Sequence, residues 1–132
     1  MVSQNISMEK ARVVLFEDQK NVRALQKRAL QNRSHQVVSE VTTLLIAREQ
    51  IPTMNEVDVA VVDGNLKQGD NSGKDGAEIV EQIKEIMPHI VTIGCSATGE
   101  VVGADYQADK RNIGEIAAII DSLEMPKNTA SE

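Results

Sequence analysis

The stretch Asp58-Val59-Ala60-Val61-Val62-Asp63-Gly64-Asn65 decides how this chain folds. Its continuous apolar segment, three valines and an alanine, reads as a strand buried on both faces, as in a parallel sheet. The run stops at an aspartate followed by glycine. Asp-Gly is common turn chemistry, so Asp63 has a bland reading as the start of a turn. It also stands at the carboxyl end of its strand, the edge outside which parallel sheets carry their ligand sites.

Outward from this stretch, strand and helix patterns alternate. Arg12 to Phe16 is an apolar strand that ends on the acidic pair Glu17-Asp18. Asn21 to Gln31 predicts an amphipathic helix, with Val22, Leu25 and Ala29 on one face and Arg23, Gln26 and Lys27 on the other. Gln36 to Val41 is a second strand. Thr42 to Glu49 follows as a helix buried through Leu44, Leu45 and Ile46, which Pro52 prevents from continuing. Beyond Asp63 the run Asn65 to Lys74 is rich in turn residues and charge, and reads as a long exposed loop. Gly76 to Met87 repeats Ile79, Val80, Ile83, Ile86 and Met87 at helical spacing, with Pro88 after it. His89 to Cys95 is a fourth strand leading to Ser96, and Asp105 to Asp109 is a weaker fifth leading to Lys110. A last helix carries Ile113, Ile116, Ile120 and Leu123 on one side.

This alternation predicts an α/β fold: a doubly wound, five-stranded parallel sheet with helices on both faces, because parallel neighbours need right-handed crossovers. Every strand end then meets one edge, where Glu17, Asp18, Asp63, Ser96 and Lys110 fall.

At 132 residues and 41% hydrophobic content the chain suits one core. The expected division is a flexible 1–10, a domain over 11–125 and a flexible tail over 126–132. No apolar run approaches the ~18 residues of a membrane span, and the first residues are too polar for a signal peptide, so a cytoplasmic protein without membrane contact is expected. Cys95 is alone, and His35 and His89 stand well apart and read as incidental, so zinc spacings are absent. A net charge of −6 with no basic stripe argues against nucleic acid.

Three clustered carboxylates repel, by roughly 3 kcal/mol for two charges ~6 Å apart at an effective dielectric constant of ~20, unless a cation joins them. All-oxygen ligation favours Mg²⁺. A carboxylate beside that ion can attack a phosphoryl donor in line and become an aspartyl phosphate. A lysine amine would then neutralise one phosphoryl oxygen and a serine hydroxyl would donate to another.

On these residues the chain resembles the receiver domains of two-component response regulators, from Arg12 to about Leu123. The resemblance rests on Glu17-Asp18 after strand one, Asp63 after strand three, Ser96-Ala97 after strand four, Lys110 after strand five and the phrase Gly103-Ala104-Asp105. It implies a flavodoxin-like receiver fold in which Asp63 accepts phosphate from a histidine kinase or phosphotransfer protein. It further implies that Glu17, Asp18, Asp63 and the backbone carbonyl of Asn65 hold Mg²⁺, that Ser96 and Lys110 contact the phosphoryl group, and that output passes by contact to an unknown downstream protein. Such a protein is a phosphoacceptor rather than an enzyme with turnover.

Four features depart from the family pattern. Glu17 replaces the first of two aspartates, Arg111 follows Lys110 where proline in a cis peptide is usual, and Gln107 occupies the place of a switch aromatic, with Tyr106 on the opposite face. Only 13 residues separate Ser96 from Lys110, too few for a helix with its connections beside strand five, so the family's fourth helix is expected to be missing or reduced to a turn. Three other readings stay open: a pseudo-receiver that binds its partner without phosphate, a receiver excised from a larger regulator or hybrid kinase, and, more remotely, enzymes of other classes. Gly69 to Asp75 resembles a P-loop superficially, but has three residues between its glycines and Asp75 where Ser or Thr should stand. A phosphatase with Asp63 as nucleophile would want an acid at Asn65.

Overall fold

A computed structural model describes residues 10–123 apart from Gln68, Asn71 and Thr98; of the flexible ends expected over 1–10 and 126–132, all but Lys10 lie outside the described residues. Five strands, β1 (Arg12–Phe16), β2 (Gln36–Val41), β3 (Val59–Val62), β4 (Val91–Ser96) and β5 (Tyr106–Asp109), form one parallel sheet in the order β2-β1-β3-β4-β5. The four helices are α1 (Lys20–Asn32), α2 (Leu44–Gln50), α3 (Lys74–Ile86) and α4 (Ile113–Ser122), with a 3-10 turn at Ile51–Thr53. Between β4 and β5 the described residues form turns and no helix, as the short spacing led us to expect.

Strand alternation divides the core in two. Val14, Phe16, Ala60 and Val62 pack with Ala47 of α2 and Ile79, Val80 and Ile83 of α3. Val13, Leu15, Val59, Val61 and Ile93 pack with Leu30 of α1 and Ile116, Ala117 and Ile120 of α4. All four residues of β3 are buried, as its unbroken apolar run predicts. The order of strands reverses direction beside β1 and β3, so their carboxyl ends open onto the crevice where such sheets bind ligands.

Two helix faces differ from expectation. In α1 the buried residues are Gln26 and Leu30, while Leu25 is 50% exposed. The stripe is rotated by one position, because Gln26 reaches the Cys95 sulfur, with Nε2 3.7 Å from Sγ. In α2 only Ala47 is fully buried and Leu45 projects into solvent at 65% exposure; a seven-residue helix packed beside α3 can hide only a narrow side. His35, expected to be incidental, is a structural tie. Its Nε2 lies 2.8 Å from Asp121 Oδ1 and its Nδ1 accepts the Ala11 N–H at 3.2 Å. Asp121 also pairs with Arg33.

Candidate functional site

The register places the functional residues at nearly one level. Phe16 pairs with Val62 and Val62 with Gly94, so Glu17 and Asp63 emerge side by side. Ser96 pairs with Asp109, one residue before Lys110. The backbone continues the ladder past the strand ends: Glu17 N–H donates to Val41 O at 3.0 Å and Asp63 N–H to Phe16 O at 2.9 Å. Glu17 and Asp63 are both buried, at 1% and 4% exposure, while Asp18 is half-buried.

The Lys110 amine sits between the two buried acids, 3.0 Å from Asp63 Oδ2 and 3.2 Å from Glu17 Oε2. It does so although Arg111 follows where the family pattern has a cis proline, and the described backbone contains no cis peptide. Arg111 instead folds back on Asp109: its N–H donates to Asp109 Oδ1 at 2.9 Å and its guanidinium spans both carboxylate oxygens at 3.0 Å. That local tie shapes the turn which delivers Lys110. Ser96 Oγ lies beside Gly64, close enough that a Cβ there would meet it at 3.3 Å. The Asp63 strand end is crowded from the helix side too. A Cβ at Gly76 would come within 2.6 Å of the Asp63 carbonyl, and its N–H donates to Gly64 O at 2.9 Å. Only glycine lets α3 start this close.

Burial, and then the charge of Asp63, pushes the Glu17 carboxyl up to about 7. Burial likewise holds Asp63 above the usual carboxylate range, against the bond from Lys110. For Lys110, burial opposes the charge, but the hydrogen bonds and charges of Asp63 and Glu17 outweigh it and hold the amine above its ordinary value. The Cys95 thiol is pushed up to about 12 by burial and the two acids, which makes it a poor nucleophile.

One oxygen of each of Glu17, Asp18 and Asp63 lies within 4.8 Å of the others. Glu17 Oε2 accepts the Gln19 N–H at 3.1 Å, but Glu17 Oε1 is buried with no hydrogen-bond partner. An unsatisfied buried carboxylate oxygen in an all-oxygen cluster fits a hard divalent cation such as Mg²⁺. Beside it is a cavity of about 150 Å³, lined among others by Asp18, Asp63, Asn65, Ser96 and Lys110. Every residue expected at the site therefore borders this cavity or, as Glu17 does, contacts a residue that borders it. Lys67 and Asp70, from the loop expected to be long and exposed, also line it.

Gln107, at the position where the resemblance implied an aromatic, turns its side chain to the β4–β5 segment. Its carboxamide clasps the backbone of Val101, with Val101 N–H donating to Oε1 at 3.0 Å and Nε2 donating to Val101 O at 2.8 Å. Val101 is 1% exposed and lies over Gly94, where a Cβ would come within 2.6 Å of it. The β4–β5 segment is thus tied by Gln107 at Val101, as its end is tied to Thr92 by Asp105. Gln107→Ala is expected to destabilise the protein by roughly 1–3 kcal/mol, the usual cost of orphaning buried polar groups, read as a lower midpoint in urea with unchanged slope. An unchanged midpoint would mean that water replaces both bonds.

No protein-family model matches the sequence, and no curated protein matches it. Solved structures do. A CheY-like response regulator receiver domain from Methylobacillus flagellatus aligns with TM-score 0.69 and 20% identity over 88% of this chain and all of that one. A Mn²⁺-bound response regulator aligns with TM-score 0.68 and 15% identity, covering 88% of this chain and 99% of that one. A phosphorylated cyanobacterial phytochrome response regulator aligns with TM-score 0.67 and 19% identity over 89% and 99%. Among the described residues no helix is long and apolar enough to cross a membrane. The strand order, the helices on both faces and the full-length alignments together give this chain the fold of a response regulator receiver domain.

Proposed function

We propose that the domain over 11–125 is a phosphoacceptor of a two-component system. Asp63 takes a phosphoryl group from the phosphohistidine of a histidine kinase or phosphotransfer protein and signals to a downstream protein by contact. In that transfer an Asp63 carboxylate oxygen bonds to phosphorus as the P–N bond to the donor imidazole breaks. Glu17, Asp18 and Asp63, with the Asn65 carbonyl, would hold Mg²⁺, which supplies neutralisation of charge on the transferring group. Lys110 pairs with one phosphoryl oxygen and Ser96 donates to another. The observation that carries the reading is the Lys110 amine seated between two buried carboxylates, one of which keeps an oxygen without a partner. The solved neighbours bound to Mn²⁺ or phosphorylated support the same chemistry by likeness of fold.

A second reading, a receiver-like module that binds its partner without phosphate, is favoured by the clasp of Gln107 on Val101, since no aromatic is there to move. Intact-protein mass spectrometry with acetyl phosphate and Mg²⁺ separates the two. One added phosphoryl group is expected, and it should disappear in Asp63→Asn and in metal-free protein. Silence to this donor, to beryllofluoride and to Mg²⁺ alike would leave the phosphate-independent module as the better account.

A further inference from the structure

Lys110 is already committed to two carboxylates, so a phosphoryl group arriving on Asp63 replaces the single carboxylate charge by about two, spread over new acceptor oxygens, in a cavity whose nearest cation is shared. The cavity has a second lysine in its wall. Lys67 lines it together with Asp63, Ser96 and Lys110, and its position is built by the loop between β3 and α3. Leu66, just before it, is buried in the core, and its N–H donates to Asp75 Oδ2 at 3.1 Å. On the far side Asn65 Oδ1 accepts the Gly73 N–H at 2.7 Å, which closes the loop across its base. Asp70 N–H donates to Lys67 O at 3.1 Å and turns the chain back toward the site. Asp70 lines the same cavity; its carboxylate accepts the Ser72 N–H at 2.8 Å and feels the charge of Lys67. Lys67 is thus a second, exposed cation in the wall of an acidic cavity.

We propose that Lys67 is a second phosphoryl-binding cation of this site, contributed by the β3–α3 loop. It donates to an oxygen of the group on Asp63 while Lys110 holds another. The proposal rests on the phosphoacceptor reading given above. It involves no covalent change at Lys67: the ammonium keeps its protons and acts as a hydrogen-bond donor and point charge.

The test is titration of the full chain with beryllofluoride at saturating Mg²⁺, followed by ¹⁹F NMR, for the wild type, Lys67→Ala and Lys67→Arg, with Mg²⁺ alone titrated in parallel. Lys67→Ala is expected to weaken beryllofluoride binding about 10-fold, the order of one charge-assisted hydrogen bond. Lys67→Arg should restore most of the loss, and Mg²⁺ affinity should be unchanged or slightly higher in Lys67→Ala, since a repelling charge is gone. Lys67 is exposed, so the ligand-free melting temperature should not move. Equal beryllofluoride affinity in the wild type and Lys67→Ala overturns the role of Lys67 and leaves the phosphoacceptor reading standing. A wild type that binds Mg²⁺ but not beryllofluoride overturns both.

Discussion

Asp63→Asn should melt higher than the wild type by about 5 °C in metal-free buffer at pH 8, and should lose most of the further rise that Mg²⁺ gives the wild type. Asp63 is 4% exposed and held above the usual carboxylate range by burial, so its ionisation works against folding. Its charge is also one of the reasons that Glu17 is pushed up to about 7. An asparagine keeps an oxygen for the Lys110 amine while removing one of two buried negative charges that share it. Relief of roughly 1 kcal/mol corresponds to several degrees in a domain of this size. Saturating the wild type at 100 times its dissociation constant would add about 2.7 kcal/mol. The variant should gain far less, because Asp63 is one of three clustered carboxylates. Thermal melts of both proteins with and without Mg²⁺ decide it: identical midpoints in all four conditions would count against an acidic metal pocket.

The sheet was legible because its signals are local and redundant. β3 is four apolar residues ending at an aspartate, and parallel pairing forces every other strand to end at the same edge. Glu17, Asp63, Ser96 and Lys110 could therefore be gathered from chain order alone. That the described residues between β4 and β5 form no helix followed from length. What the sequence concealed lies in contacts between distant residues. Gln26 reads as a solvent-facing residue of α1, yet it is buried against Cys95, 69 residues away. His35 is bonded to Asp121, 86 residues away. Periodicity ranks residues by polarity and has no means of knowing that a polar side chain has a partner across the core.

The loop between β3 and α3 was hidden for a different reason. Its composition marks it as turn-rich, and exposure is the ordinary consequence of that composition. Its shape depends on Leu66 entering the core and on Asn65 and Asp75 each accepting a backbone N–H across the loop. Those bonds bring Lys67 and Asp70 to the cavity. The departures at Arg111 and Gln107 likewise look like losses when compared with a family pattern. In three dimensions each has a local substitute: Arg111 ties the turn to Asp109, and Gln107 clasps Val101. The same strand ends thus reach the site by different local chemistry.

Metal-free wild-type protein should lose stability as pH rises from 5 to 8, and Lys110→Met should lose it more steeply. Glu17 has a folded value of about 7 against an ordinary value of 4.5, so between these limits the folded state binds more protons than the unfolded chain. Stability then falls with rising pH through that window, by roughly 3 kcal/mol at ~1.36 kcal/mol per unit. Asp63 is shifted in the same direction. The acids whose values are lowered by ion pairs or hydrogen bonds, such as Glu40 and Glu78, stabilise above the ordinary carboxylate range and lose that contribution only as pH falls below it, so they add little slope between pH 5 and 8. Removing the Lys110 amine takes away the cation bonded to both buried carboxylates, and breaking such a buried group costs about 3–5 kcal/mol when the remaining charges cannot be neutralised. Protonation neutralises them at low pH. The difference between wild type and Lys110→Met should therefore be small at pH 5 and large at pH 8, and Mg²⁺ should narrow it by taking over the charge of the acids. Urea denaturation across this pH range is the measurement. A gap that stays constant with pH would mean that Lys110 contributes packing rather than charge, and that the acids are not electrostatically joined through it.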